Sequence, residues 1–185
     1  MDAAYETYEQ MKGFLDFGEA DAERLKALGP VFDKHGPDIT NAFYESLEQM
    51  PATAAIIDGR VDALKRTHIA WMKSLFVGDY GRTFFERQYH IGEVHVTNNI
   101  LPEFVEGVTT TLRLGGRHAI STELGSGDDA HAAFSSLVKV LDLCLMTINL
   151  AYQDERLNRI SKVTGMSRKL LENLVKTGGK KKKKK

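Results

Sequence analysis

The sequence predicts an all-α protein, and three observations carry that prediction. Apolar residues recur at steps of three and four along most of the 185 residues, the spacing that lines one face of a helix. There are only four prolines, and the glycines cluster between the periodic stretches, where they act as breaks. Stretches of strict apolar–polar alternation, the mark of a half-buried strand, are nearly absent.

Taken in order, residues 3–13 read as a short lead-in helix that ends near Gly13. Asp21 is placed to cap the next helix, with Leu25, Leu28 and Phe32 on its stripe until Gly36-Pro37. A third helix is expected from Pro37, carrying Phe43, Leu47 and Met50, and stopping at Pro51. The fourth starts near Asp58 and carries Val61, Leu64, His68, Trp71 and Leu75 until Gly78 and Gly81 break it. The fifth covers 81–98, with Phe84, Gln88, Ile91 and His95 along one face.

Leu101-Pro102 opens a sixth helix through Phe104, Val105, Val108 and Leu112, towards Gly115-Gly116 or a little beyond. Residues 125–129 are a loop and N-cap. A long helix follows from about 129 to 158, roughly 45 Å at 1.5 Å per residue. A weaker amphipathic helix, 162–175, trails through Val163, Met166, Leu170, Leu171 and Leu174. Helices this unequal in length suit a globin-like helical sandwich better than a four-helix bundle.

The long helix is apolar on two faces. Phe134, Leu137, Leu141, Leu145, Ile148 and Tyr152 make one stripe, which Val138, Val140, Leu143, Cys144 and Leu150 broaden. Such a helix is either central or buries its second face in a partner. A homodimer through this helix is the favoured expectation.

A formal charge of zero conceals an uneven distribution. Lys180–Lys185 supply six positive charges, so nineteen basic residues face twenty-five acidic ones elsewhere. A mildly acidic body argues against nucleic acid as the main partner. One cysteine, Cys144, allows no intramolecular disulfide and suits a reducing cytosol. No apolar run of membrane-span length and no signal-peptide pattern stand out, so a cytoplasmic location is expected.

Of six histidines, His35 sits at an expected helix end, His131 in a first turn and His118 in a basic loop-like stretch. All three read as surface residues. His90 points about 140° from His95 on a helix, five residues at ~100° each, and reads as exposed. His95 and His68 remain, each on an apolar stripe. A neutral imidazole in such surroundings can hold an iron porphyrin from one side, but an apolar-face histidine is more often a core residue. No zinc-like spacing accompanies either. Tyr44 adds a phenol able to donate a hydrogen bond. Composition and spacing leave the ligand and core readings open, with the core reading ahead.

The order of motifs then carries a resemblance. Phe14-Leu15-Asp16-Phe17 precedes the first main helix, followed by Ala42-Phe43-Tyr44, Met50-Pro51 and Leu64-Lys65-Arg66 with Trp71. Ile91-Gly92-Glu93-Val94-His95-Val96 and Leu101-Pro102 complete the series. Over roughly residues 12–158 the chain resembles the haem-binding sensor domain of globin-coupled sensors, relatives of the protoglobins. The resemblance implies a globin fold, a haem b cofactor (iron protoporphyrin IX) and His95 as proximal iron ligand. It makes Tyr44 the distal residue that hydrogen-bonds bound oxygen, and Leu64 the apolar distal residue. Thr67 matches a second polar distal position. Phe43, Trp71 and Ile91 shape the pocket or pack beside it. His68 departs from the pattern. It ligates iron from the distal side, donates to bound ligand, or is an ordinary polar residue, the last being preferred because Tyr44 and Leu64 already account for that wall.

The implied function is an oxygen sensor that also takes carbon monoxide and nitric oxide and relays ligation through its C-terminal helix. It is a regulatory domain, not an enzyme. Residues 1–158 form the sensor domain, and 159–185 a helical linker with a flexible poly-lysine tail, too short for a cyclase, kinase or chemoreceptor output. Three alternatives stand beside it: a haem-free globin-like interaction module, a stand-alone protoglobin, and a haem enzyme of the nitric oxide dioxygenase type.

Overall fold

The computed structural model describes residues 1–178. Its helices are α1 (Asp2–Phe14), α2 (Glu19–Ala27), α3 (Gly29–Glu48), α4 (Pro51–Ile57), α5 (Val61–Ser74), α6 (Arg82–Thr97), α7 (Pro102–Leu124), α8 (Asp128–Thr164) and α9 (Arg168–Thr177). No strand occurs among the described residues. The architecture is the expected globin-type sandwich. α8 packs on α6, α7 and α2, and α3 packs on both α5 and α7.

The long helix is the axle of the molecule. At 37 residues α8 runs roughly 55 Å, further than the periodicity of its apolar residues indicates. By length and composition it is apolar enough to cross a bilayer, a property that the sequence pattern alone did not bring out. In the fold it is a core helix: α6, α7, α2 and α1 all pack on it, and α9 packs on its end. Part of the apolar breadth that argued for a partner is therefore taken up inside the chain: Leu137, Val140, Leu141, Leu143, Cys144 and Ile148 are buried, whereas Phe134, Val138 and Leu150 keep part of their surface. Gly165, in the left-handed region at φ 71°, ends α8 and lets the chain turn into α9.

Several boundaries differ from expectation, each for a packing reason. The second break lies at Leu28-Gly29, and Pro30 sits in the first turn of α3, where its missing N–H costs nothing. Pro37 is inside α3. An interior proline costs about 3 kcal/mol, but Phe32, Gly36, Ile39, Thr40, Phe43 and Tyr44 form one buried stripe running through it. Pro51 starts a further helix, α4. Gly115-Gly116 does not end α7, because a side chain there would collide with a neighbouring helix: a Cβ on Gly115 would stand 3.0 Å from Ile39.

Asp21 is not an N-cap but the third residue of α2, where it accepts the Gly18 N–H at 3.2 Å. It is buried, and it also accepts Ser136 Oγ at 2.7 Å and Lys139 Nζ at 3.0 Å. Burial works to raise its pKa, but these bonds outweigh it and hold the carboxyl below the usual range. They lock α2 onto α8. The run Lys180–Lys185, expected to be a flexible tail, lies outside the described residues.

The tightest crossing is α6 on α8. A Cβ added at Gly92 would lie 2.6 Å from Ala151 Cβ and 2.7 Å from the Ile148 carbonyl oxygen. The second contact is backbone and has no room to move. Gly92→Ala should therefore destabilise the protein by about 1–3 kcal/mol despite alanine's higher helix propensity. Gly107 of α7 is the control, since a Cβ added there would meet nothing within 4 Å. Gly107→Ala should be neutral or stabilise by up to ~1 kcal/mol. Urea unfolding of both variants checks this, and equal effects would mean that α6 and α8 do not approach so closely.

Candidate functional site

The apolar core is not continuous. Its main group runs from α1 and α2 through α5 to α8, while Phe43, Tyr44 and Ile57 form a second group and Val96, Ile148 and Tyr152 a third. Members of all three line one cavity of about 560 Å³. A dry void of that size would cost on the order of 10 kcal/mol at the ~24 cal/mol per Å³ seen in core truncations, as much as a domain's whole stability. Its volume falls in the range of small-molecule and cofactor sites. Its body is apolar, and its rim carries the exposed polar residues Arg60, Thr67, His90 and Asn98.

His95 reaches this cavity from α6. Its Nδ1 lies 2.6 Å from the Ile91 carbonyl oxygen one turn back. A carbonyl can only accept, so Nδ1 carries the proton and Nε2 keeps its lone pair. Burial lowers the imidazole's pKa, with the Ile91 bond partly opposing it, so the ring is neutral at physiological pH. An oriented neutral imidazole with one nitrogen bonded and the other free is the usual arrangement of a metal-ligating histidine.

Facing elements supply the other polar groups. His68, on α5, sits 2.9 Å by its Nδ1 from Thr40 Oγ1 on α3, while its buried Nε2 has no partner. Burial pushes its pKa down to about 4. The Tyr44 ring, on α3, stands 6.1 Å from that imidazole and close to perpendicular to it. Burial pushes the Tyr44 hydroxyl up to about 12, so it remains a donor. Trp71 Nε1 donates to Gln88 Oε1 at 2.8 Å, joining α5 to α6 behind the cavity. α5 packs chiefly on α3, so the helix bearing Leu64, Thr67 and His68 forms one wall supported from one side.

Every residue singled out in the sequence, His95, Tyr44, Leu64, Thr67, His68, Phe43, Trp71 and Ile91, lines this single cavity. His68 does not swing away from it. His90 is exposed, as its helical angle predicts, and lies 3.2 Å from Glu93, though at the cavity rim. His35 and His118 lie within α3 and α7 rather than at an end or in a loop, and His35 pairs with Glu123 at 2.7 Å.

Sequence reasoning does not reach the opposite half of the lining: Ile56 and Ile57 of α4, Val105 and Val108 of α7, and Leu141, Cys144, Leu145 and Ile148 of α8. These residues are apolar and carry no chemical signature. The apolar stripe of α7 and the doubled apolar face of α8 are their only traces in the sequence. Cys144 is fully buried, and burial raises its thiol well above the ordinary range, so it stays protonated and inert.

Comparison with known proteins agrees with this geometry. A family model described as Protoglobin matches residues 4–158. Among solved structures, the globin domain of the Geobacter sulfurreducens globin-coupled sensor is similar, with a TM-score of 0.74 and 25% sequence identity. The match covers 78% of this chain and 96% of that one.

The buried His68 makes a measurable prediction about pH. Its pKa is about 4 in the fold against 6.5 in the unfolded chain, so the unfolded chain binds its proton first. Its contribution to stability is therefore intact above pH ~6.5 and lost as pH falls towards ~4, by up to roughly 3 kcal/mol. In cofactor-free protein, His68→Leu should flatten the fall in urea midpoint over that interval. Equal pH slopes for the two proteins would mean that this imidazole is not buried.

Proposed function

The chain belongs to the protoglobin family, and from that premise we propose that it is a haem-based oxygen sensor whose haem b is held by His95. The observation that carries this reading is the Ile91-bonded imidazole with a free Nε2 at an apolar cavity of about 560 Å³. The unpartnered Nε2 of His68 on the same cavity adds a second nitrogen for which the protein itself supplies no hydrogen-bond partner. These residues fit the cofactor that the family implies. Arg60 and His90 at the rim are the groups suited to its carboxylates. The iron, when bound, supplies the position at which a diatomic gas is held.

The protein's own contribution is electrostatic and steric. His95 enters neutral and already oriented, so no proton must be expelled when it ligates. The protonated Tyr44 hydroxyl donates to whichever gas gathers negative charge, a charge-assisted contact worth about 1.5–3 kcal/mol. That favours oxygen over carbon monoxide. Leu64 and Phe43 keep water from competing for the donor, and Thr67 marks the polar rim.

A relay is built from groups beside the ligand. Gly92 presses α6 on Ala151 of α8, Tyr152 donates to the Ile100 carbonyl at 2.7 Å, and Arg159 reaches the Val96 carbonyl at 3.3 Å. Tyr89, on the His95 helix, donates to Asp154, which also pairs with Arg168 of α9. Movement of α6 therefore biases the end of α8 and the seating of α9, the two-state element that a sensor requires. Residues 1–158 are the sensor and 159 onward the output connection. A homodimer through α8, whose Phe134, Val138 and Leu150 keep part of their surface, completes the reading.

One observation favours a second reading of the distal side. With Nδ1 taken by Thr40 and Nε2 free, His68 offers the same kind of nitrogen as His95 and would be a second residue to hold the iron. Absorbance spectra separate the readings. His95→Ala should lose haem or bind it far more weakly, and an unchanged haem band would sink the assignment. A six-coordinate ferrous spectrum abolished by His68→Ala supports the second reading, and a five-coordinate one the first. Tyr44→Phe should release oxygen about tenfold faster or more, the equivalent of the lost contact. An unaltered off-rate removes Tyr44 from its role.

For the relay, hydrogen exchange in α9 should respond to gas in the unaltered chain and not in Tyr89→Phe. A response that survives the substitution would place the path elsewhere.

A further inference from the structure

Charge and exposed apolar surface both collect at the C-terminal end. Residues 159–185 contain eleven basic residues and one acidic, whereas residues 1–158 contain fourteen basic and twenty-four acidic. The same end carries an unusual density of uncovered apolar side chains. Of fourteen strongly exposed large hydrophobic residues among those described, six lie between 160 and 175: Ile160, Val163, Met166, Leu170, Leu174 and Val175.

The helix α9 separates these features by face. At 100° per residue, Leu170, Leu171, Leu174 and Val175 fall within one arc of about 140°, and Lys169, Glu172, Asn173 and Lys176 on the other. Only Leu171 of the apolar arc is buried against the fold. Leu170 and Leu174 keep nearly half of their surface, and Val175 is 77% exposed. Lys162, Lys169 and Lys176 are exposed and have no ion-pair partner among the described residues. The arrangement is held at its base by Arg168, which bonds Asp154, Asn158 and Glu172.

We propose that the apolar arc of α9 and the exposed lysines around it, Lys162, Lys169 and Lys176, form a peripheral docking surface for an anionic lipid bilayer. The inference goes beyond gas sensing and does not depend on haem. Its physical basis is the pairing of two modest contributions. Half-exposed leucines can enter the headgroup–acyl boundary, and lysines beside an apolar arc reach headgroup phosphates with their flexible stems. Each lysine close to an anionic surface contributes about 1 kcal/mol. Neither contribution holds a protein at a membrane alone, but one apolar patch with a polybasic run does.

Other occupants fit the observations less well. A second copy of the same segment would bring two groups of eleven basic residues together. Nucleic acid would account for the lysines but gives Leu170, Leu174 and Val175 nothing to bury against. The acidic body of the chain matches the lysines and likewise leaves the apolar arc uncovered.

Flotation of the full chain with vesicles tests this. One set is pure phosphatidylcholine and the other contains phosphatidylglycerol. Binding is expected only to the anionic set, weakening steeply as salt rises. The double variant Leu174→Glu with Val175→Glu replaces exposed residues only, so its circular dichroism and thermal midpoint should match those of the unaltered chain. Its vesicle binding should fall about tenfold or more. Lys169→Glu with Lys176→Glu should fall similarly. Undiminished binding in the leucine–valine variant would overturn the proposal by reducing the effect to charge alone. Equal affinity for duplex DNA and anionic vesicles would overturn it too, as would self-association through this segment without vesicle binding. Because haem absorbance is read separately, failure here leaves the gas-sensor reading standing, and loss of haem binding leaves this one.

Discussion

A hydrogen bond from His95 Nδ1 to the carbonyl of Ile91 orders much of what this molecule can do. It spends an acceptor already used within the helix to fix the tautomer and direction of a ring. The remaining nitrogen then faces an apolar cavity with its lone pair available. The core is arranged around that commitment. Three apolar groups enclose the cavity instead of merging into one, and the fold tolerates the opening because α8 ties most of the structure together outside it. Burial at the site acts consistently on its titratable groups. It keeps His68 and His95 neutral and Tyr44 protonated, so the site presents lone pairs and one hydroxyl donor without any fixed charge inside.

Residues carrying chemistry are legible in the sequence because their types are rare on apolar stripes. Tyr44, His68 and His95 are such residues, and their helices bring them to one cavity. Breaks in the chain are less legible. Pro37 and Gly115-Gly116 look like stops in one dimension. In three dimensions a stripe from Phe32 to Tyr44 outweighs the proline, and the glycines are required where α7 passes Ile39 and Leu137. Local propensity loses to packing in both places.

The apolar half of the cavity is illegible for a different reason. Val105, Val108, Leu145 and Ile148 carry the same signal whether they face a cavity or a neighbouring helix. The breadth of α8 raises the same ambiguity on a larger scale. An apolar surface on two sides is expected of a core helix, a membrane span and a dimer seam alike, and only the positions of α1, α2, α6 and α7 distinguish the first.

That placement gives α8 a mechanical consequence. Its middle is wedged between neighbours and its last turns are not. Eight of the thirteen residues 140–152 are buried and none is exposed, whereas Ile160 and Val163 are open. A rigid helix held along its centre transmits a displacement at the α6 crossing towards whichever end is least restrained. Gly92 brings the α6 backbone against Ala151 and the Ile148 backbone, with no compliant layer to absorb a shift. The free end carries α9 through one buried leucine and the Arg168 cluster. A few kcal/mol would reseat so small a contact. The proposed sensing event therefore needs little energy to reach α9, and the ligand can bias α9 only by the difference in its own affinity for the two seatings.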